Sequence, residues 1–224
     1  MATALTALTA LTALQRHKKF IETIATPLLQ QLLLYICHEG DIARKNKWEQ
    51  NIYVGARCCG EAAWILNGIC DIWYRENNIE APEQEIVGRQ EDDYKDDQPP
   101  EDHVYLLSSF DGEIWIDDPT IRQFFDINLL STDHPVIYSG KPDQIDEDIN
   151  ELVMKKFSTT WFLHDSKNGR VKPSVELSDL NNPDTSLYSL LTNPPKNIPY
   201  GLKNMIESET LSSFVQESRQ QVIK

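Results

Sequence analysis

The sequence predicts an α+β fold in which a central, cysteine-bearing helix packs on an antiparallel sheet. Two stretches carry that expectation. The segment opened by Cys58 and Cys59 repeats apolar residues at helical spacing: Ala62, Ile65, Leu66, Ile69 and Trp73. Ala63, Trp64 and Ile72 widen the stripe, which predicts a helix buried on most sides. Further on, HVYLLSSF and EIWIDDPT flank Asp111-Gly112, a dipeptide suited to a two-residue hairpin turn. With 224 residues, 40% of them hydrophobic, the chain is long enough to bury one substantial core. A single catalytic-sized domain is expected over residues 20–224.

The remaining elements follow in chain order. Residues 1–19 repeat the triplet Thr-Ala-Leu four times. This is low complexity, expected to be a disordered leader or a frayed helix without a role in the fold. Its apolar run is short and its positive charges follow it, whereas a Sec-type signal has them first. No stretch reaches the length of a membrane span. Residues 20–36 are helical in pattern, with Pro27 marking a break or a new first turn. Residues 39–51 are polar and read as a connector. Residues 91–102, EDDYKDDQPPED, form an acidic loop with a proline pair. Residues 148–163 predict a helix, residues 178–200 an irregular stretch, and residues 201–224 an amphipathic C-terminal helix.

The charge narrows the partners. A net charge of -14 is repelled by phosphate backbones and by anionic lipid, so nucleic acid and membrane surfaces are not expected. A protein partner with a basic surface fits better, and the chain is expected to be a monomer. Cys37, Cys58, Cys59 and Cys70 show no disulfide framework, because adjacent cysteines rarely bridge. Free thiols in a reducing compartment are the consequence.

The hairpin brings chemistry into one place. With a two-residue turn, Phe110 faces Glu113, Tyr105 faces Asp118, and His103 faces Thr120. Paired residues share a side of the sheet, and side chains alternate along each strand. His103, Tyr105 and Asp118 then share one face, with His103 and Asp118 on a diagonal of roughly 7–8 Å between backbones. Asp117 points the other way, so parity selects Asp118; a three-residue loop would reverse the choice. The same face carries Leu107, Ile114 and Ile116 and is expected to pack against the cysteine helix. A thiol attacks a carbonyl, an imidazole moves the proton, and a carboxylate orients the imidazole. A helix start and a neighbouring imidazolium both favour a thiolate.

These residues resemble the transglutaminase-like and papain-like superfamily. The likeness lies in CGEAAWIL followed by HVYLL and GEIWIDDPT, about 65 residues from 55 to 120. Transglutaminase-type sequences have a cysteine opening a helix, a small residue four positions on and aliphatics just after. Cys59 has Ala63, Ile65 and Leu66 in those places, and Cys58 fits less well. The families also show a histidine at a strand start and a strand end like the WIDDPT here. The fifteen-residue step from His103 to Asp118 is similar to that of bacterial toxin and effector glutamine deamidases. The resemblance implies a papain-like fold, Cys59 as nucleophile, His103 as base and acid, and Asp118 as orienter; no cofactor and no metal are expected. It also implies an oxyanion donor beside the Cys59 backbone N–H, for which Gln50, Asn51 or Tyr53 are candidates.

The function implied is hydrolysis of a protein glutamine side chain by a thiol enzyme, an effector reaching a host's reducing cytoplasm without a Sec signal. The same triad serves transglutaminases and cysteine proteases. An arylamine N-acetyltransferase-like protein is a further alternative, but GAR stands where that family has Arg-Gly-Gly. A non-enzymatic binding module on a decayed fold is the alternative from another class. Among the other residues, Cys58 reads as structural, and Cys37 and Cys70 as core. Adjacent cysteines strain a tetrahedral metal site. His17, His38 and His134 read as surface or satisfied histidines. His164 and Asp165 face opposite ways if on a strand, and Asp117 reads as a solvated or capping carboxylate. Trp64, Trp73 and Trp115 read as core.

Overall fold

The computed structural model describes residues 12–36, 59–89, 103–124, 135–141, 144, 182–193 and 200–222. They form a mixed α+β arrangement, with helices gathered on one face of a four-stranded antiparallel sheet.

Helix α1, Ala13–Phe20, is opened by a capping box. The Thr12 hydroxyl accepts from the Gln15 N–H at 3.2 Å, and the Gln15 side-chain oxygen accepts from the Thr12 N–H at 3.0 Å. From Thr12 onward the expected leader is therefore a capped helix, and it buries His17 and Phe20. Its earlier part, residues 1–11, lies outside the described residues. One widened π turn, Ile21–Ala25, then leads into α2, Thr26–Ile36. Pro27 has no N–H to offer the preceding turn, which gives the expected break a physical cause. The Thr26 hydroxyl bonds back to the Ile21 carbonyl at 2.8 Å and supports the wider turn. Leu28, Leu29, Leu32 and Leu33 form the buried stripe of α2.

Helix α3, Cys59–Glu76, is the centre of the fold, buried along most of its faces as its sequence predicts. It ends in a Schellman motif. Asn78 takes a left-handed φ of 52°, Ile79 N–H reaches the Tyr74 carbonyl, and Asn78 N–H reaches that of Arg75.

The strands are β1 (Glu83–Arg89), β2 (His103–Phe110), β3 (Glu113–Asp118) and β4 (Tyr138–Gly140), in that spatial order. Asp111 and Gly112 both take positive φ, 51° and 83°, the geometry of a two-residue primed turn. The hairpin has the expected register: Phe110 opposite Glu113 and Leu106 opposite Asp117. Strands β1 and β4 add to the two strands expected from sequence.

One expectation about packing is corrected. The residues that join α3 in the core are Ile86, Val104 and Leu106, not the face of Tyr105, Leu107, Ile114 and Ile116. Ile114 is 41% exposed. Val104 and Leu106 alternate with His103 and Tyr105, so the helix covers the opposite side of the sheet.

The C-terminal part is also more structured than its composition suggests. Within residues 178–200, a 3-10 turn over Pro183–Thr185 leads into α4, Leu187–Thr192. Asn182 and Ser186 cap the two pieces with their side chains, so the polar residues end and start helices. The single C-terminal helix expected is two, α5 (Tyr200–Ile206) and α6 (Glu209–Val222). Ser208 makes the break: its hydroxyl donates to the Met205 carbonyl and accepts from the Leu211 N–H. The predicted helix at 148–163, the connector at 39–51 and the acidic loop at 91–102 lie outside the described residues.

Candidate active site

The site forms where three elements begin or end. Cys59 is the first residue of α3, His103 the first of β2, and Asp118 the last of β3. The hairpin register places the start of β2 and the end of β3 at the same edge of the sheet. His103 and Asp118 project to the same face there, as the two-residue turn requires.

The three side chains make a continuous chain of contacts. His103 Nε2 donates to Asp118 Oδ2 at 2.6 Å. A carboxylate only accepts, so this contact places a proton on Nε2 and leaves Nδ1 for another partner. The Cys59 sulfur and the His103 ring share a hydrogen bond. His103 and Asp118 are 1% and 0% exposed, while Cys59 is partly exposed. The nucleophile candidate is thus the member that a substrate reaches, and its two partners sit behind it.

Asp118 is held from a second side. Its Oδ1 accepts from the Thr120 N–H at 2.9 Å, closing an Asx turn over Asp-Pro-Thr. The carboxylate therefore has one orientation, with one oxygen on the backbone and one on the imidazole. The sequence places Thr120 only as the residue facing His103 and gives it no hold on Asp118, although the D-P-T run carries the signal for such a turn. The Tyr105 ring lies 5.8 Å from the His103 ring, on the shared face.

Electrostatics favour the charged imidazole. Burial is the largest influence on His103 and by itself lowers its proton affinity. The charge of Asp118, its hydrogen bond, and then the Cys59 contacts outweigh burial together, and the pKa rises to about 9. At neutral pH the ring is an imidazolium beside a sulfur at a helix start. Cys70 is a contrast: fully buried, its thiol is pushed well above the ordinary range by desolvation and then by the Asp117 charge. It is core, as expected.

The other candidates separate cleanly. Gln50, Asn51 and Tyr53, the candidate oxyanion donors, lie outside the described residues, as do Cys37, Cys58, His38, His134, His164 and Asp165. Trp73 and Trp115 are buried, and Trp64 is half-buried against the core. Among the described residues no group of three or more His, Cys, Asp or Glu is placed to hold a metal ion. No helix among them is long and apolar enough to cross a membrane.

Asp117 is corrected. It is neither solvated nor capping but fully buried, with His17 Nε2 donating to its Oδ2 at 2.7 Å. His17 is the satisfied histidine expected, yet its partner lies 100 residues away, where no sequence spacing points to it.

No family model, no curated protein and no solved structure matches this chain.

Proposed function

We propose that this protein is a thiol-dependent amide hydrolase of papain-like or transglutaminase-like fold that deamidates a glutamine side chain of a protein. The observation that carries the reading is the convergence of Cys59, His103 and Asp118, from three separate elements, into one hydrogen-bonded chain.

In this reading the Cys59 sulfur attacks the carboxamide carbon of glutamine, and the C=O bond opens to a tetrahedral oxyanion. The Cys59 backbone N–H at the start of α3 is a donor for that oxygen. His103 gives its Nδ1 proton to the departing nitrogen, the C–N bond breaks, and ammonia leaves a thioester. Water then attacks the thioester, and His103 takes its proton. The C–S bond breaks, and glutamate and the free thiol are released. Asp118 keeps the ring in one tautomer throughout. A net charge of -14 favours encounter with a basic protein surface. On the resemblance to effector deamidases, the working place is a host cell's reducing cytoplasm.

The test is alkylation with peptide mapping. Iodoacetamide at pH 6 is expected to modify Cys59 rapidly and to leave Cys70 untouched. His103→Ala is expected to slow the Cys59 reaction about 100-fold, and Asp118→Asn about tenfold. The wild type, but not Cys59→Ala, should then release ammonia from basic glutamine-bearing proteins and raise a glutamine by about 1 Da when water resolves the thioester. Incorporation of an added amine in place of water marks a transglutaminase, and main-chain cleavage a protease. If Cys59 reacts no faster than a free thiol, the catalytic reading falls and a binding module remains.

A further inference from the structure

Asp117, next to Asp118 on β3, carries a second histidine–carboxylate pair that the proposed chemistry does not use. His17 and Asp117 are both 0% exposed, so neither meets a substrate. Every side of this pair is occupied. His17 Nδ1 meets the Tyr74 hydroxyl of α3 at 2.9 Å. Ser139 of β4 donates to Asp117 Oδ1 at 2.6 Å, and Ser108 of β2 donates to Oδ2 at 3.2 Å. The Phe110 ring lies 5.0 Å from the His17 ring. The carboxylate ties α1, β2 and β4 around the end of β3, and His17 extends the link to α3.

A buried polar pair is a poor source of net stability, because desolvating both groups offsets their attraction. It does impose geometry. A carboxylate with both oxygens engaged has one position, and the Cα of the next residue lies about 3.8 Å along the chain. Asp118 is the last residue of its strand, where pairing runs out. On one side β3 pairs with β4 over only three residues, Ile116, Asp117 and Asp118. Strand alternation turns Asp117 into the helix-covered face and Asp118 toward His103. Whatever holds the Asp117 side chain therefore holds the backbone that presents Asp118.

We propose that His17 and Asp117 are positioning residues for the Cys59–His103–Asp118 site: the buried pair pins the end of β3 so that Asp118 stays against the His103 imidazole. The N-terminal helix thereby becomes part of the site's support, although it contributes no group to it. The proposal rests on the functional reading of that site, and the measurement below separates the two.

The readout is the NMR titration of the His103 ring, assigned by its disappearance in His103→Ala. Among the described residues, Asp118, Cys59 and Tyr105 lie against that ring, and Arg89 of β1 is the residue opposite His103 in the strand register. In the full-length wild type its midpoint is expected near 9. In His17→Leu it should fall by about one unit, in the same direction as in Asp118→Asn, while the folded spectrum is kept. His17→Gln places an N–H near the Nε2 position and should restore most of the loss. A smaller fall of about half a unit is expected in Tyr74→Phe, which removes only the far hydroxyl and serves if the leucine variant does not fold. An unchanged midpoint in every folded variant overturns the proposal, and so does failure of the glutamine variant to restore what leucine loses. Cys59 alkylation is followed in parallel. An unreactive Cys59 in the wild type sinks the catalytic reading, whereas a fallen His103 midpoint in His17→Leu still supports the coupling.

Discussion

His103 is buried and yet holds its proton more tightly than a free histidine, which links the stability of the protein to pH. The folded pKa, about 9, lies above the unfolded value of 6.5, so the folded state binds this proton more strongly. The contribution is fully present below pH 6.5, shrinks as pH rises, and is gone above pH 9. Its size is roughly 3 kcal/mol. Urea unfolding from pH 6 to pH 10 is expected to show that loss. In Asp118→Asn the loss should largely vanish, because the charge that raises the pKa is gone. A wild-type curve that stays flat across the window would mean that the imidazolium is not stabilised. The neighbouring carboxylates show how one residue of chain changes chemistry. Asp118 meets an imidazole beside a partly exposed thiol, and Asp117 meets one in the core.

At the scale of elements, two glycines decide how pieces meet. Gly112 sits in the hairpin turn at a φ of 83°, with open space around it. Alanine there meets no neighbour but must adopt a left-handed backbone, so Gly112→Ala is expected to cost about 1 kcal/mol in chemical unfolding. Gly68 is the opposite case. Its φ is ordinary for a helix, but a Cβ there would collide with the Leu187 Cβ, an atom that cannot swing away. Gly68→Ala gains about 1 kcal/mol of helix propensity. It must also push α4 off α3, and overpacking costs about 1–3 kcal/mol. The net expectation is a lower melting temperature. A rise would mean that α4 moves freely. The hairpin register follows from the Asp111-Gly112 turn and strict alternation, which decide which face each residue takes.

At the scale of the molecule, described helices from both sides of α3 in the sequence close on it. Helix α2 packs on it from the N-terminal side, and α6 from the C-terminal side, where Leu211 is fully buried. A chain ending at Ser208 lacks α6 and uncovers that part of the core. It is expected to lose cooperative melting and, with it, fast alkylation of Cys59. Leu211→Ala, a milder change, should lower unfolding free energy by about 2–5 kcal/mol. If the shortened chain melts cooperatively, α6 is an accessory and not part of the core.

Sequence alone determined what neighbours along the chain encode. Apolar spacing marked α3, turn chemistry placed the hairpin, and parity chose Asp118 over Asp117 as the partner of His103. Composition misled where polar residues act as caps, as Asn182, Ser186 and Ser208 do, because a cap and a loop use the same residue types. Strands β1 and β4 were silent: β4 spans three residues, too few for alternation to show. Tertiary structure decided which face of the sheet α3 covers and where His17 finds its carboxylate. Both choices depend on burying apolar surface and satisfying buried charge between segments far apart in the chain. Local periodicity states that a face exists but not what will cover it.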